Sequence, residues 1–112
     1  MTRIVIRREG DFITALKAQG HAGDTAAGDN IVCAAVSSLM HTAVNALESV
    51  AGVVPVIQKD DRKALLGLRL PEACESGEAQ IILRTIIQGL TDISKEYPKM
   101  VRITVEDGRT ST

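Results

Sequence analysis

One histidine and one cysteine stand in a setting that could support nucleophilic catalysis. His21 lies in a glycine-rich stretch, and Cys33 follows it in what is predicted to be the first turn of a long helix. The positive end of a helix dipole favours the thiolate form of a cysteine, and a neighbouring imidazole can act as general acid or base. The pattern therefore indicates cysteine-nucleophile chemistry as the leading hypothesis.

The residue at which the predicted helix begins determines whether Cys33 lies among its unpaired backbone amides. Asp29 or Asn30 is a suitable N-cap, and with Asn30 in that role Cys33 occupies position N3. Unpaired backbone N–H groups cluster there and could stabilise the oxyanion of a tetrahedral intermediate. Three glycines would let the preceding loop approach a peptide closely: Gly20, Gly23 and Gly28.

A structural interpretation of the same residues stays open at this point. Cys33 could be a small buried residue between Val32 and Ala34, and His21 an ordinary loop residue. The spacing alone does not choose between the two interpretations.

The remaining histidine and cysteine are weaker candidates. His41 lies about 12 Å beyond Cys33 along the helix axis at 1.5 Å per residue, so we expect a surface or packing role. Cys74 falls in a predicted loop and is interpreted as an incidental thiol. The four histidines and cysteines lack the paired close spacings of a zinc motif, and no phosphate-binding glycine motif occurs. No metal and no cofactor are expected.

The elements that must position these residues follow from hydrophobic periodicity and turn signals. The inner face of the first helix is predicted from an apolar stripe: Ile31, Ala35, Leu39, Ala43, Val44 and Leu47. The predicted order is β-β-α-β-β-α-β, with strands over residues 2–9, 11–17, 53–59, 63–70 and 99–106 and helices over 31–51 and 78–97. The economical packing is an α+β two-layer sandwich with both helices on one face of a five-stranded sheet. A single domain over residues 1–107 and a frayed tail over 108–112 are expected.

Composition narrows the function further. The chain has 112 residues, a net charge of −1 and one residue each of Phe and Tyr, which argues against direct nucleic-acid binding. Arg3, Arg7, Arg8 and Lys17 make the first strands locally basic, and a solvated sheet face is the favoured interpretation. The sequence offers neither a signal peptide nor an obvious membrane span, and two cysteines suggest reduced thiols, so a cytoplasmic protein is expected.

Two separated blocks resemble a known family. They are Gly-His-Ala-Gly at residues 20–23 and Gly-x-x-Ile-Val-Cys-Ala-Ala-Val-Ser at residues 28–37, and together they are similar to the signature of the ribosomal-processing cysteine protease family Prp. The resemblance implies an endopeptidase that removes a short N-terminal extension from a large-subunit ribosomal protein, the twenty-seventh in the usual naming. It also implies a homodimer, which could cover the open face of the sheet.

Carried over to this chain, the resemblance implies that His21 is the general base and acid and that Cys33 is the nucleophile. The family commonly has aspartate where this chain has Asn30, so a supporting third group is expected from Asn30 or from Asp29. Ser37 matches a family serine one helical turn after the cysteine. It could bond near the thiol or back to its own helix.

Two rival functions remain at this stage. One is a non-catalytic, ribosome-associated module that grips a peptide while Cys33 merely packs. The other is a redox-sensing protein in which an exposed Cys33 thiolate is oxidised.

Overall fold

The order of the elements is the predicted one. The computed structural model describes residues 1–20 and 27–108, with side chains described from residue 31 onward in the second range. The elements are β1 (Thr2–Glu9), β2 (Phe12–Gln19), α1 (Ala27–Ser49), β3 (Val56–Asp60), β4 (Leu65–Arg69), α2 (Gly77–Glu96) and β5 (Val101–Asp107). Of the predicted tail, residues 109–112 lie outside the described residues.

The five strands form one mixed sheet in the order β3-β4-β2-β1-β5. The pairs β1–β2, β2–β4 and β3–β4 are antiparallel, whereas β5 returns parallel to β1 after α2. Pro55 directly precedes β3, and this strand lies at an edge of the sheet, as the proline predicts. This topology sets β2 beside β4, which sequence analysis did not predict.

Both helices pack on the same face of the sheet. The inward residues of the strands and the buried residues of α1 and α2 belong to one hydrophobic cluster. The sheet contributes Ile4, Ile6, Leu16, Ala18, Leu68 and Val101, all buried. The two-layer sandwich is therefore confirmed, and neither α1 nor α2 lies against the opposite face of the sheet.

Helix α1 begins about one turn earlier than predicted. Its first residue is Ala27, so Asp29 and Asn30 lie inside the first turn and neither is the N-cap. Alanine is the strongest helix former, and an acidic residue in a first turn is stabilised by the helix dipole, so the helix extends through this segment. A cap-like sequence was thus mistaken for the boundary.

The buried stripe of α1 is displaced by one residue in its first half, whereas Ala43, Val44 and Leu47 are buried as predicted. Val32, Val36 and Met40 are buried, whereas Ile31 is 67% exposed. Apolar residues occur at positions 31, 35 and 39 and also at positions 32, 36 and 40, so periodicity alone could not decide which set faces the core. This rotation determines which polar residues of α1 reach the surface.

Residues 31–49 of α1 are long and apolar enough to cross a membrane by length and composition. In the fold, however, this segment supplies the centre of the core: Val32, Val36, Met40, Ala43 and Leu47 are buried against the sheet and α2. Its apolar character is accounted for by that packing.

Helix α2 is fixed at its first turn by two side chains. The Ser76 hydroxyl accepts a hydrogen bond from the Ala79 amide at 3.1 Å and caps the helix. Gln80 then bonds to the Ile13 backbone twice, donating to the carbonyl and accepting from the amide, both at 2.8 Å. These contacts attach the start of α2 to β2 beside the β1–β2 bulge.

Candidate active site

A groove of about 270 Å³ opens between α1, the end of β2 and the β3–β4 hairpin. Its apolar wall comes from buried and half-buried side chains, among them Val36, Met40 and Leu66. Polar side chains also line it: Cys33, Ser37, His41, Lys59 and Asp61. An apolar trough with a few polar groups along it is the usual form of a small ligand or peptide site.

Cys33 is a half-buried thiol on the wall of this groove. It follows the buried Val32 and precedes the exposed Ala34, so its side chain lies at the border between core and solvent. Because α1 begins at Ala27, Cys33 lies in the second turn. The prediction that it occupies N3, among the unpaired amides, is therefore wrong.

Gly20 lines the same groove, and hydrogen bonds attach it to the β3–β4 turn and to the start of β1. Its amide donates to the carbonyls of Lys63 and Ala64, both at 3.2 Å, and its carbonyl accepts from the Thr2 hydroxyl at 3.2 Å. Its backbone has a φ of +92°, which side-chain-bearing residues rarely adopt. The residue that precedes His21 is thus fixed beside the groove that contains Cys33.

Several predicted site residues lie where the structure gives no side chain. His21 and Gly23 lie outside the described residues, and Gly28, Asp29 and Asn30 are described only as helical backbone. The roles predicted for His21, Asp29 and Asn30 stay predictions. Gly28 lies inside α1, so it does not belong to a loop that could close over a peptide.

Ser37 and His41 form a polar pair one turn apart on α1. The Ser37 hydroxyl lies 3.3 Å from Nδ1 of His41, and the same nitrogen lies 2.8 Å from the Ser37 carbonyl oxygen. Both residues are exposed and face the groove. The expected surface position of His41 is confirmed, and the contact between the two side chains was not foreseen.

The far wall of the groove comes from a part of the sequence that carries no recognisable motif. Lys59 lies near the end of β3 and Asp61 in the turn that follows, with their charged groups 3.9 Å apart. Leu65 and Leu66 begin β4. Only the pairing of β4 with β2 brings these residues opposite α1. Cys74 lies elsewhere, packed against the core in the connection before α2.

No group of three potential metal-binding side chains occurs among residues 1–20 and 31–108.

Comparison with known proteins identifies the family to which this arrangement belongs. The model of the family "Cysteine protease Prp" matches residues 1–102. The chain belongs to the Prp family. A ribosomal processing cysteine protease Prp from Staphylococcus aureus is 32% identical over 100 residues, covering 89% of this chain and 92% of the relative.

Two solved structures of an S. aureus Prp show the same fold. One, in complex with a substrate peptide, has a TM-score of 0.85, 28% identity, and coverage of 95% of this chain and 100% of that one. The other carries a covalently linked product peptide and has a TM-score of 0.84, 29% identity and the same coverage. As a member of the Prp family, the chain is a cysteine protease.

Proposed function

We propose that this protein is an endopeptidase that removes the N-terminal extension of a large-subunit ribosomal protein, the twenty-seventh, with Cys33 as nucleophile and His21 as general acid and base. The observation that carries the proposal is the shared groove: Cys33 lines it, and so does Gly20, which is bonded covalently to His21. The names of the relatives, which are ribosomal processing proteases, support the class of substrate.

The chemistry assigned to the pair is acyl transfer through a thioester. His21 takes the proton of the Cys33 thiol, and the sulfur attacks the scissile carbonyl carbon. The C–N bond then breaks as His21 gives that proton to the leaving amine. Water then attacks the thioester and gives a proton to His21. The N-terminal fragment leaves as a carboxylic acid, and His21 returns the proton to the Cys33 sulfur, which restores the thiol. The covalently linked product peptide in the S. aureus relative supports a covalent route.

The dimensions of the groove suit an extended peptide. Cys33 and His41 lie about 12 Å apart along the helix axis, and an extended chain advances about 3.3 Å per residue, so three or four residues fit between them. Val36 and Met40 lie between the two on the groove wall. We therefore expect apolar substrate side chains near the scissile bond and a polar contact at the His41 end.

The early start of α1 changes one part of the mechanism. The unpaired amides belong to the first four residues of a helix, and these precede Cys33 by about one turn or more. The amide of Cys33 itself is within the helical hydrogen-bond ladder. The N-terminus of α1 is therefore not assigned the role of oxyanion hole.

Two further proposals concern the setting of the enzyme. A cytoplasmic location fits a ribosomal substrate and two cysteines that are thiols. A homodimer, expected from the family resemblance and from the uncovered face of the sheet, is proposed here on the family resemblance. Its test is the mass of the protein in solution at micromolar concentration, where a monomer would contradict it.

The cleavage reaction is tested with the extended ribosomal protein as substrate. It is incubated with the wild-type chain, Cys33→Ala and the matched control Cys74→Ala, and the products are weighed by mass spectrometry. We expect one N-terminal truncation with the wild type and Cys74→Ala, and intact substrate with Cys33→Ala. Intact substrate in all three reactions, with a complex still formed, would favour the peptide-binding module instead.

A further inference from the structure

The face of the sheet turned away from the helices carries five cations. The pairing register defines three rows of outward residues that cross the strands. One row contains Arg7 and Arg69 with Ala15 between them, the next contains Lys17, and the third contains Arg3 beside Arg102. We call Arg3, Arg7, Lys17, Arg69 and Arg102 the outer basic face.

Most of this charge is not neutralised within the described part of the chain. Arg7 forms an ion pair with Glu106 at 3.6 Å, but no carboxylate of residues 1–20 or 31–108 forms one with the other four cations. Asp60, also outward by register, accepts hydrogen bonds from the amides of its own turn. The face therefore keeps a positive surplus on a chain whose net charge is −1.

Arg3 and Arg102 stand directly opposite each other on adjacent strands. Neighbouring strands are about 4.8 Å apart, and like charges at that distance destabilise a sheet. Both arginines are exposed. A ligand that supplies negative charge between them would remove this repulsion.

Small residues leave a hollow in the middle of the face. Arg7, Lys17 and Arg69 surround Ala15 and Gly67, and the hollow has a volume of about 320 Å³. From strand spacing, the Cα atoms of Arg7 and Arg69 are about 10 Å apart, with Lys17 about 8 Å from each. Cations spread over that distance match a series of anionic groups better than one small ion.

We propose that the outer basic face binds the phosphate backbone of double-stranded RNA. Arginine pairs with phosphate through two parallel hydrogen bonds, and four of the five cations are arginines. Phe12 packs against the core and Tyr97 caps α2, so neither is available on this face to stack an unpaired base. Duplex RNA, recognised through shape and phosphates, is therefore favoured over single strands.

A second copy of the chain is a poorer occupant of the same surface. Two outer basic faces brought together by a twofold axis would set five cations against five, and each copy supplies only Glu106 and Asp60 in return. The face lies across the sheet from the groove of Cys33, so RNA and peptide could bind together. This inference does not depend on the proposed cleavage reaction, and it reverses the expectation drawn from net charge and the scarcity of aromatic residues.

The test measures binding of a labelled RNA hairpin of about 20 base pairs by fluorescence anisotropy. Wild type is compared with Arg3→Gln/Arg102→Gln and with the control Lys95→Gln/Lys99→Gln, which removes the same charge from exposed residues at the end of α2 and the turn that follows. With four phosphate contacts, wild-type affinity should fall about 100-fold between 50 and 200 mM salt. The face variant should lose only about 10-fold over that range, and the control should behave as wild type.

The design separates loss of contact from loss of fold. Each variant's thermal melting is recorded, and Lys17→Gln/Arg69→Gln provides a second substitution of the same face. Equal RNA affinity in the face variants and the control, or no saturable binding at 50 mM salt, would overturn the proposal. The proposal would also be overturned if the wild type bound no RNA and a face variant converted a dimer into a monomer. The outer basic face would then be the contact between two copies of the chain.

Discussion

A Cβ atom on Gly20 would lie 2.7 Å from the carbonyl oxygen of Met1. The contact is with backbone, so no side-chain movement can relieve it. Together with the φ of +92°, it restricts this position to glycine. The start of the segment that contains His21 is therefore anchored against the first residues of β1.

The first prediction follows from that contact. Gly20→Ala should lower the free energy of unfolding by about 1–3 kcal/mol, because it adds backbone strain and forces β1 and β2 apart at this end. Urea denaturation followed by circular dichroism measures the change. Gly77→Ala is the matched control, since a Cβ there meets nothing within 4 Å and alanine is the better helix former. A Gly20→Ala protein as stable as wild type would contradict the geometry.

The second prediction concerns the double hydrogen bond between Gln80 and Ile13. Gln80→Ala leaves a partly buried amide and carbonyl of β2 without their partner, which should cost about 1–3 kcal/mol in stability. Gln88→Ala removes an exposed glutamine that bonds only within α2, and its effect should be much smaller. Thermal melts of both variants check the difference. Equal destabilisation would mean that the Gln80 contact does not hold α2 to the sheet.

The third prediction tests the cap of α2. Ser76→Ala removes the acceptor for the Ala79 amide and should destabilise the protein by about 1 kcal/mol. Ser38→Ala, at an exposed position inside α1, should be neutral because alanine suits a helix interior. Chemical denaturation distinguishes the two. Restoration of stability by Ser76→Asp would attribute the loss to capping, and failure of that rescue would count against it.

The fourth prediction separates the two histidines. His21→Ala should lower kcat by about 100-fold to 10,000-fold, the usual worth of a general acid or base. His41→Ala should keep kcat near wild type and affect mainly KM, because His41 lies two turns from Cys33 and bonds to Ser37. Steady-state cleavage of a peptide substrate gives both constants. A loss of kcat confined to His41→Ala would make His41, and not His21, the general acid and base.

The sequence was sufficient to predict β1 to the residue and the complete order of elements, because alternation, turn residues and Pro55 agree locally. It was insufficient at the start of α1, where Asp29 and Asn30 resemble caps and only packing decides whether the helix continues. It also misplaced the first half of the buried stripe of α1, because apolar residues occur both at Ile31 and its neighbours one turn apart and at Val32 and its neighbours, and only packing selects the second set.

The candidate site, too, was only partly predictable from the sequence. Cys33 was recognised from a local motif, and the structure sets it on a groove wall. Lys59, Asp61 and Leu66 complete that groove only through the pairing of β4 with β2, which no local pattern specifies. Strand register likewise determines which cations share the outer basic face. The net charge of the chain does not show this distribution.

The most direct test of the account is the site of covalent attachment during turnover. The wild-type chain is mixed with peptide substrate, quenched in acid within the first turnover, and analysed by intact mass and peptide mapping. We predict an adduct equal in mass to the N-terminal fragment less one water, attached at Cys33. An adduct at Cys74, or complete cleavage through the first turnover without any adduct, would contradict the assignment of Cys33 as the nucleophile.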